Sequence, residues 1–135
     1  MSKYRIPDKK SKYYLPKEEY LTAIHYSLRY PSLLAEYNVL ADTAGTLRYD
    51  REKVQTSGSY DSTEETGIKL AEIRTKLDII DGTIEEVSRE LDKYLRLGVC
   101  YGFTFEQLKG NGMPCEHAKY YRMRREYLYK LAQKI

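Results

Sequence analysis

Residues 63–98 read TEETGIKLAEIRTKLDIIDGTIEEVSRELDKYLRLG, and their pattern decides the fold class. The apolar side chains Leu70, Ile73, Leu77, Ile80, Ile84, Val87, Leu91 and Tyr94 follow one another at alternating intervals of three and four residues. That alternation averages roughly 3.5 residues, the repeat that keeps one narrow seam along a helix and that a coiled coil requires. The spacing therefore predicts a long, heptad-patterned central helix over residues 63–98. Gly82 lies inside it and costs about 1 kcal/mol of helix propensity, which the sustained seam outweighs. A seam this long cannot stand bare in water. It packs on the N-terminal helices, on a second copy of the chain, or on both. Its length favours a homodimer, with Ile73, Leu77, Ile80, Ile84, Val87 and Leu91 as the oligomerisation residues.

Upstream, residues 17–45 read as a helical hairpin. Pro16 suits the start of a helix over residues 17–29, with Glu18 and Glu19 in its first turn, where the helix dipole favours acids. Tyr20, Leu21, Ile24 and Leu28 give this helix an apolar side. Tyr30-Pro31 interrupts it. A second helix over residues 32–44 carries Leu33, Leu34, Tyr37, Leu40 and Ala41 at helical spacing and stops at Gly45. Residues 46–62 are polar and turn-rich and read as a linker, with Ser62 or Thr63, or alternatively Asp61, capping the helix that follows. Residues 1–16 are basic and broken by two prolines. They read as a flexible arm, able to lie on DNA or simply to fray as a terminus.

Downstream, residues 99–135 carry a second organised pattern. Thr104 with Gln107 three residues on has the spacing of a capping box, which starts a short helix ending near Lys109. Lys109-Gly110-Asn111-Gly112 reads as a turn, and Pro114 fits the first turn of a final helix. A short helix, a turn and a longer basic helix form a helix-turn-helix-like unit. The last helix has two sides. Tyr120, Met123, Tyr127 and Leu131, with Leu128 beside them, form an apolar stripe. The exposed side presents Lys119, Arg122 and Glu126, flanked by Arg124 and Arg125. A recognition helix offers its N-terminal half to the major groove, where basic side chains reach base edges or phosphates. On that reading His117, Lys119 and Arg122 contact the groove, while Arg124, Arg125 and Lys130 grip phosphate. The alternative for the same residues is a solvated basic surface.

Charge distribution agrees with a nucleic-acid partner. Residues 109–135 hold seven Lys and Arg against Glu116 and Glu126, and residues 1–12 hold five against Asp8. With a formal net charge of +3, the stretch between these two basic ends is acidic. Such a distribution suits double-stranded DNA as partner. Fifteen tyrosines and no tryptophan favour thin helical assemblies and interfaces over a thick apolar core.

Other classes of function find little support. The two cysteines, Cys100 and Cys115, are too few for a disulfide framework, and no signal-peptide-like stretch opens the chain. No run approaches the roughly 18 apolar residues of a membrane span, so the expected location is the cytoplasm, with no membrane partner. Cys115 and His117 do not have a zinc-site spacing, and no metal or cofactor is expected. No glycine-rich phosphate loop is present. The acids fall mainly on outer positions of the central helix, as solvated charge, so an enzyme is not expected.

Three features together resemble the ArpU/RinA type of phage and prophage late-gene regulator: the overall length, the KVQTS run at residues 53–57 followed by an acidic linker and a long isoleucine-rich helix, and the terminal YGFTFEQL…GMPCEHAKYYRMRREYLYKLAQ. The C-terminal part of that family is similar to the DNA-binding helix-turn-helix of sigma-factor region four. The resemblance extends from about Val54 to the end and is looser over the first fifty residues. It implies a transcription regulator whose last helix enters the major groove, placing Glu116, His117, Lys119, Tyr120, Arg122 and Arg125 at the DNA, and it implies RNA polymerase as a further partner. The chain departs from the sigma-like pattern at residues 110–115 (GNGMPC), where a short turn with a small hydroxyl cap is usual. Two other readings predict different behaviour. A small DNA-packaging protein, like a terminase small subunit, would form a ring of many copies. A helical structural or interaction protein would not bind DNA.

Overall fold

In the computed structural model, which describes residues 9–49 and 64–135, the chain is all-α, with no strand among the described residues. The first helix, α1 (Lys17–Leu28), carries Glu18 and Glu19 in its first turn, as read from the sequence. It is joined through Arg29 to α2 (Tyr30–Ala44), and the two make the N-terminal hairpin. Pro31 does not break the chain. It occupies the first turn of α2, where its missing N–H is harmless. Gly45 ends the helix in the left-handed conformation, φ 71°, as its place in the sequence predicts. Residues 9–16, expected to be part of a flexible arm, lie on the helical body. Leu15 is buried, and the Tyr13 ring packs against Tyr129 with centroids 5.8 Å apart. Most of the expected linker, with KVQTS and the caps at Asp61, Ser62 and Thr63, lies outside the described residues.

The long central helix is two helices. Its first part is α3 (Glu64–Val87) and its second α4 (Asp92–Tyr101). Between them Ser88 accepts the Leu91 N–H on its hydroxyl at 3.1 Å, a local bond that competes with continued helix. Gly82, the suspected weak point, stays helical inside α3. After the bend the buried positions move off the heptad. Leu91, Leu95 and Val99 are buried, while Tyr94 is only partly so. The seam residues Ile73, Leu77, Ile80, Ile84 and Leu91 are buried and Val87 partly so, in a core shared with α1, α2, α4 and the last helix. The chain's own helices fill the seam, which removes the reason for assigning it to a second copy.

A buried polar network crosses this core. Asp81 on α3 is 6% exposed and Arg96 on α4 is 9% exposed. The Arg96 Nε and Nη2 lie 2.8 and 2.7 Å from the Asp81 Oδ1. The hydroxyl of Tyr30 donates to the same carboxylate, 3.1 Å from Oδ2, and that of Tyr49 donates to Oδ2 as well. Asp81 is therefore not the solvated acid that its neighbours suggest. One carboxylate ties α2, α3, α4 and the segment after α2 together.

Burial raises the hydroxyl pKa of several tyrosines. Tyr120 is pushed up to about 12, and Tyr30, Tyr49 and Tyr127 also rise, with desolvation the leading cause in each case. An unfolded tyrosine ionises near pH 10. The stabilising preference for neutral hydroxyls is thus complete below about pH 10 and is lost as the pH rises through the folded values. In an alkaline titration, tyrosinate absorbance is expected to rise in two stages. The last stage, carrying Tyr30, Tyr49, Tyr120 and Tyr127, is expected above pH 10 and together with loss of helix. A single smooth rise near pH 10 with the helical signal intact would contradict this burial.

Candidate nucleic-acid interface

The C-terminal unit consists of α4, the short α5 (Phe105–Gly110) and α6 (His117–Ala132). The expected capping box is present at α5. The Thr104 Oγ1 accepts the Gln107 N–H at 3.2 Å, and the Gln107 Oε1 accepts the Thr104 N–H at 2.8 Å. The connection from α5 to α6 is longer than a tight turn and is pinned at several points. Gly112 takes φ 93°, which only glycine adopts easily, and the Met113 N–H returns to the Leu108 carbonyl at 3.1 Å. The Lys109 ammonium donates to the carbonyls of Met113 and Cys115, at 3.1 and 3.3 Å. Met113 and Cys115 are buried. The GNGMPC departure is thus an anchored link, and Pro114 precedes the last helix instead of opening it.

Glu116 takes the N-cap position of α6 without a side-chain capping bond. The apolar stripe of this helix lies where its spacing puts it, with Tyr120, Met123, Tyr127, Leu128 and Leu131 all buried. Tyr120 is therefore core, which corrects its assignment to the DNA. Tyr127 exchanges a 2.7 Å hydrogen bond with Ser27 of α1, and Tyr120 seats against Gly98 of α4. At the C-terminal end, the Lys134 ammonium bonds the Thr83 hydroxyl at 2.9 Å and Glu86 at 2.8 Å. These contacts fix the orientation of α6 on the body.

The opposite face stays open over the first half of the helix. Glu116, His117, Ala118, Lys119 and Arg122 are exposed, and Tyr121 and Arg125 are partly exposed. Helical spacing places His117, Tyr121 and Arg125 in one row and Ala118 and Arg122 in the next. Among the described residues Lys119, Arg122 and Arg125 make no ion pair, the first two exposed and the third partly so. The remaining basic candidates are engaged elsewhere. The Arg124 Nη1 donates to the Tyr20 hydroxyl at 3.3 Å, and Lys130 pairs with Glu126 at 2.9 Å.

No family model, curated protein or solved structure matches the chain. The candidate site rests on its own geometry.

The open face also holds an aromatic group that the sequence pattern does not reveal. The His117 ring lies 4.4 Å from Tyr121 and 5.1 Å from Phe105 of α5, and Tyr120 lies beneath, 5.0 Å from Tyr121. The i, i+4 relation of His117 to Tyr121 is visible in the sequence, but nothing local shows that Phe105 returns to the same place. Cys100 and Cys115 are free and buried, and burial pushes the Cys100 thiol well up, away from the thiolate that nucleophilic or metal chemistry would use. Among the described residues no three His, Cys, Asp or Glu side chains gather as a metal site, and no helix is long and apolar enough to cross a membrane.

Proposed function

We propose that the chain binds double-stranded DNA through the open face of α6 and serves as a DNA-binding regulator of transcription. The observation that carries this reading is the unpaired cationic set Lys119, Arg122 and Arg125, on the outer face of a helix whose other face is locked into the core. Residues 117–125 rise about 13 Å along the helix axis, enough to lie across a major groove about 12 Å wide. Arginine at such positions forks onto phosphate or guanine. Arg124 and Lys130, held by Tyr20 and Glu126, contribute less. The likeness of residues 101–133 to late-gene regulators, read from the sequence and not from any matched relative, favours regulation over packaging. A packaging subunit would use the same helix but would place a ring of many copies on the duplex.

A second reading, a helical interaction module, is favoured by Val39 on α2, Leu47 just after it and Ile68 on α3, which are 65%, 52% and 54% exposed. Anisotropy of labelled duplexes at about 0.15 M salt, with unrelated DNA as competitor, separates the two readings. The wild-type chain is expected to bind, with affinity falling steeply as salt rises. The Arg122→Ala/Arg125→Ala double variant, altered only on the open face, should bind tenfold or more weakly. Its log–log salt slope should be shallower by up to about 2, near 0.9 for each phosphate that is no longer neutralised. Equal affinity and slope for the two proteins, or no binding by either, would rule out this interface.

A further inference from the structure

We propose that the ring cluster of Phe105, His117 and Tyr121 is an apolar reading edge that meets the 5-methyl group of thymine when α6 lies in the major groove. This inference rests on the DNA-binding reading above and adds the base feature recognised. The three rings form one group, with Phe105 and Tyr121 6.3 Å apart and His117 in contact with both. The group is anchored from below. Tyr120, 2% exposed, packs on both Phe105 and Tyr121, at 6.0 and 5.0 Å. Rings held in this way lose little freedom on binding. Tyr121 shares its helical row with Arg125, so an aromatic surface adjoins the phosphate-seeking charge. A nucleic acid, and not an apolar peptide, is the complementary partner for that combination.

The packing also selects what the rings can touch. Their planes are tilted by 64°, 44° and 33° within the trio, and Phe105 and Tyr121 are half-buried. Rings inclined to one another and partly buried present no flat platform on which an unpaired base could stack, but they do present ring carbon for short apolar contacts. Thymine methyl is the apolar group that base edges present in the major groove. Exposed Ala118, in the adjacent row, extends the same surface.

The test selects duplexes from a random-sequence pool with the full chain, then replaces each thymine of the selected site by deoxyuridine, which removes only the methyl group. At one or more positions this replacement is expected to weaken wild-type binding about fourfold, the effect of one buried methyl. The Tyr121→Ser variant should bind the thymine and deoxyuridine duplexes equally while keeping its salt slope. Selected duplexes that tolerate deoxyuridine at every position overturn the inference without any variant. So does a Tyr121→Ser protein that keeps the fourfold preference. Binding without enrichment of any sequence overturns this inference and leaves DNA binding standing, whereas absence of binding overturns both.

Discussion

Replacing Asp81 with alanine is expected to lower the unfolding free energy by about 3–5 kcal/mol, the loss that follows when one partner of a buried ion pair is removed. The cause is the group left behind. Arg96 is 9% exposed, and its nearest remaining carboxylate, on Asp92, is 3.9 Å away. The Tyr30 hydroxyl loses its acceptor as well, and that of Tyr49 keeps only Asp78, at 3.3 Å. Against a typical domain stability of about 5–15 kcal/mol this is a large fraction, and the urea midpoint should fall accordingly. The paired replacement Asp81→Leu/Arg96→Met removes both charges and should recover much of the loss, because well-packed apolar side chains replace a buried pair at little cost. An Asp81→Ala midpoint within error of wild type would show that the network does not hold α2, α3 and α4 together.

The second large effect is expected at Gly98. A Cβ built there would stand 1.9 Å from the Tyr120 hydroxyl oxygen and 3.1 Å from its Cζ. In an ordinary helix interior, glycine to alanine gains up to about 1 kcal/mol. Here the Tyr120 ring is buried among its aromatic neighbours and cannot simply swing aside, so Gly98→Ala should instead destabilise by about 1–3 kcal/mol, as overpacking does. Tyr120→Phe removes the clashing oxygen, and Gly98→Ala should cost less in that background by about 1 kcal/mol or more. The close approach also seats Tyr120 beneath the rings of Phe105 and Tyr121 at the start of α6. If Gly98→Ala stabilised the protein as a solvent-facing glycine would, α4 and α6 would not approach as described.

Several elements are legible from local chemistry alone. Gly45 as a stop, Thr104 with Gln107 as a capping box, and the stripe from Tyr120 to Leu131 each depend on neighbours within one or two helical turns, and each lies where its spacing puts it. The single central helix fails for a physical reason. An alternation of threes and fours states which side chains are buried, but two consecutive helices can satisfy it as well as one, and the bond from the Leu91 N–H to Ser88 that divides them has no periodic signature. The same limit hides the partner of the seam, since spacing does not say whose helices cover it. Asp81 shares its composition with exposed acids, and only the fold brings Arg96, Tyr30 and Tyr49 to it. At the candidate interface the basic helix is visible in the sequence. Helical spacing already separates Arg124, four residues after Tyr120 and so beside the apolar stripe, from Arg125 on the outer side. Only the fold shows that Tyr20 of α1 lies within reach of Arg124.

The most direct measurement is a backbone amide NMR titration of the 135-residue chain with a short DNA duplex. Shift changes are expected to concentrate on residues 116–125 and around Phe105, with α2 and the first turns of α3 unmoved. Changes centred instead on Val39, Leu47 and Ile68, or none at all up to duplex concentrations of about 100 µM, within the usual range of non-specific dissociation constants, would contradict DNA binding through α6.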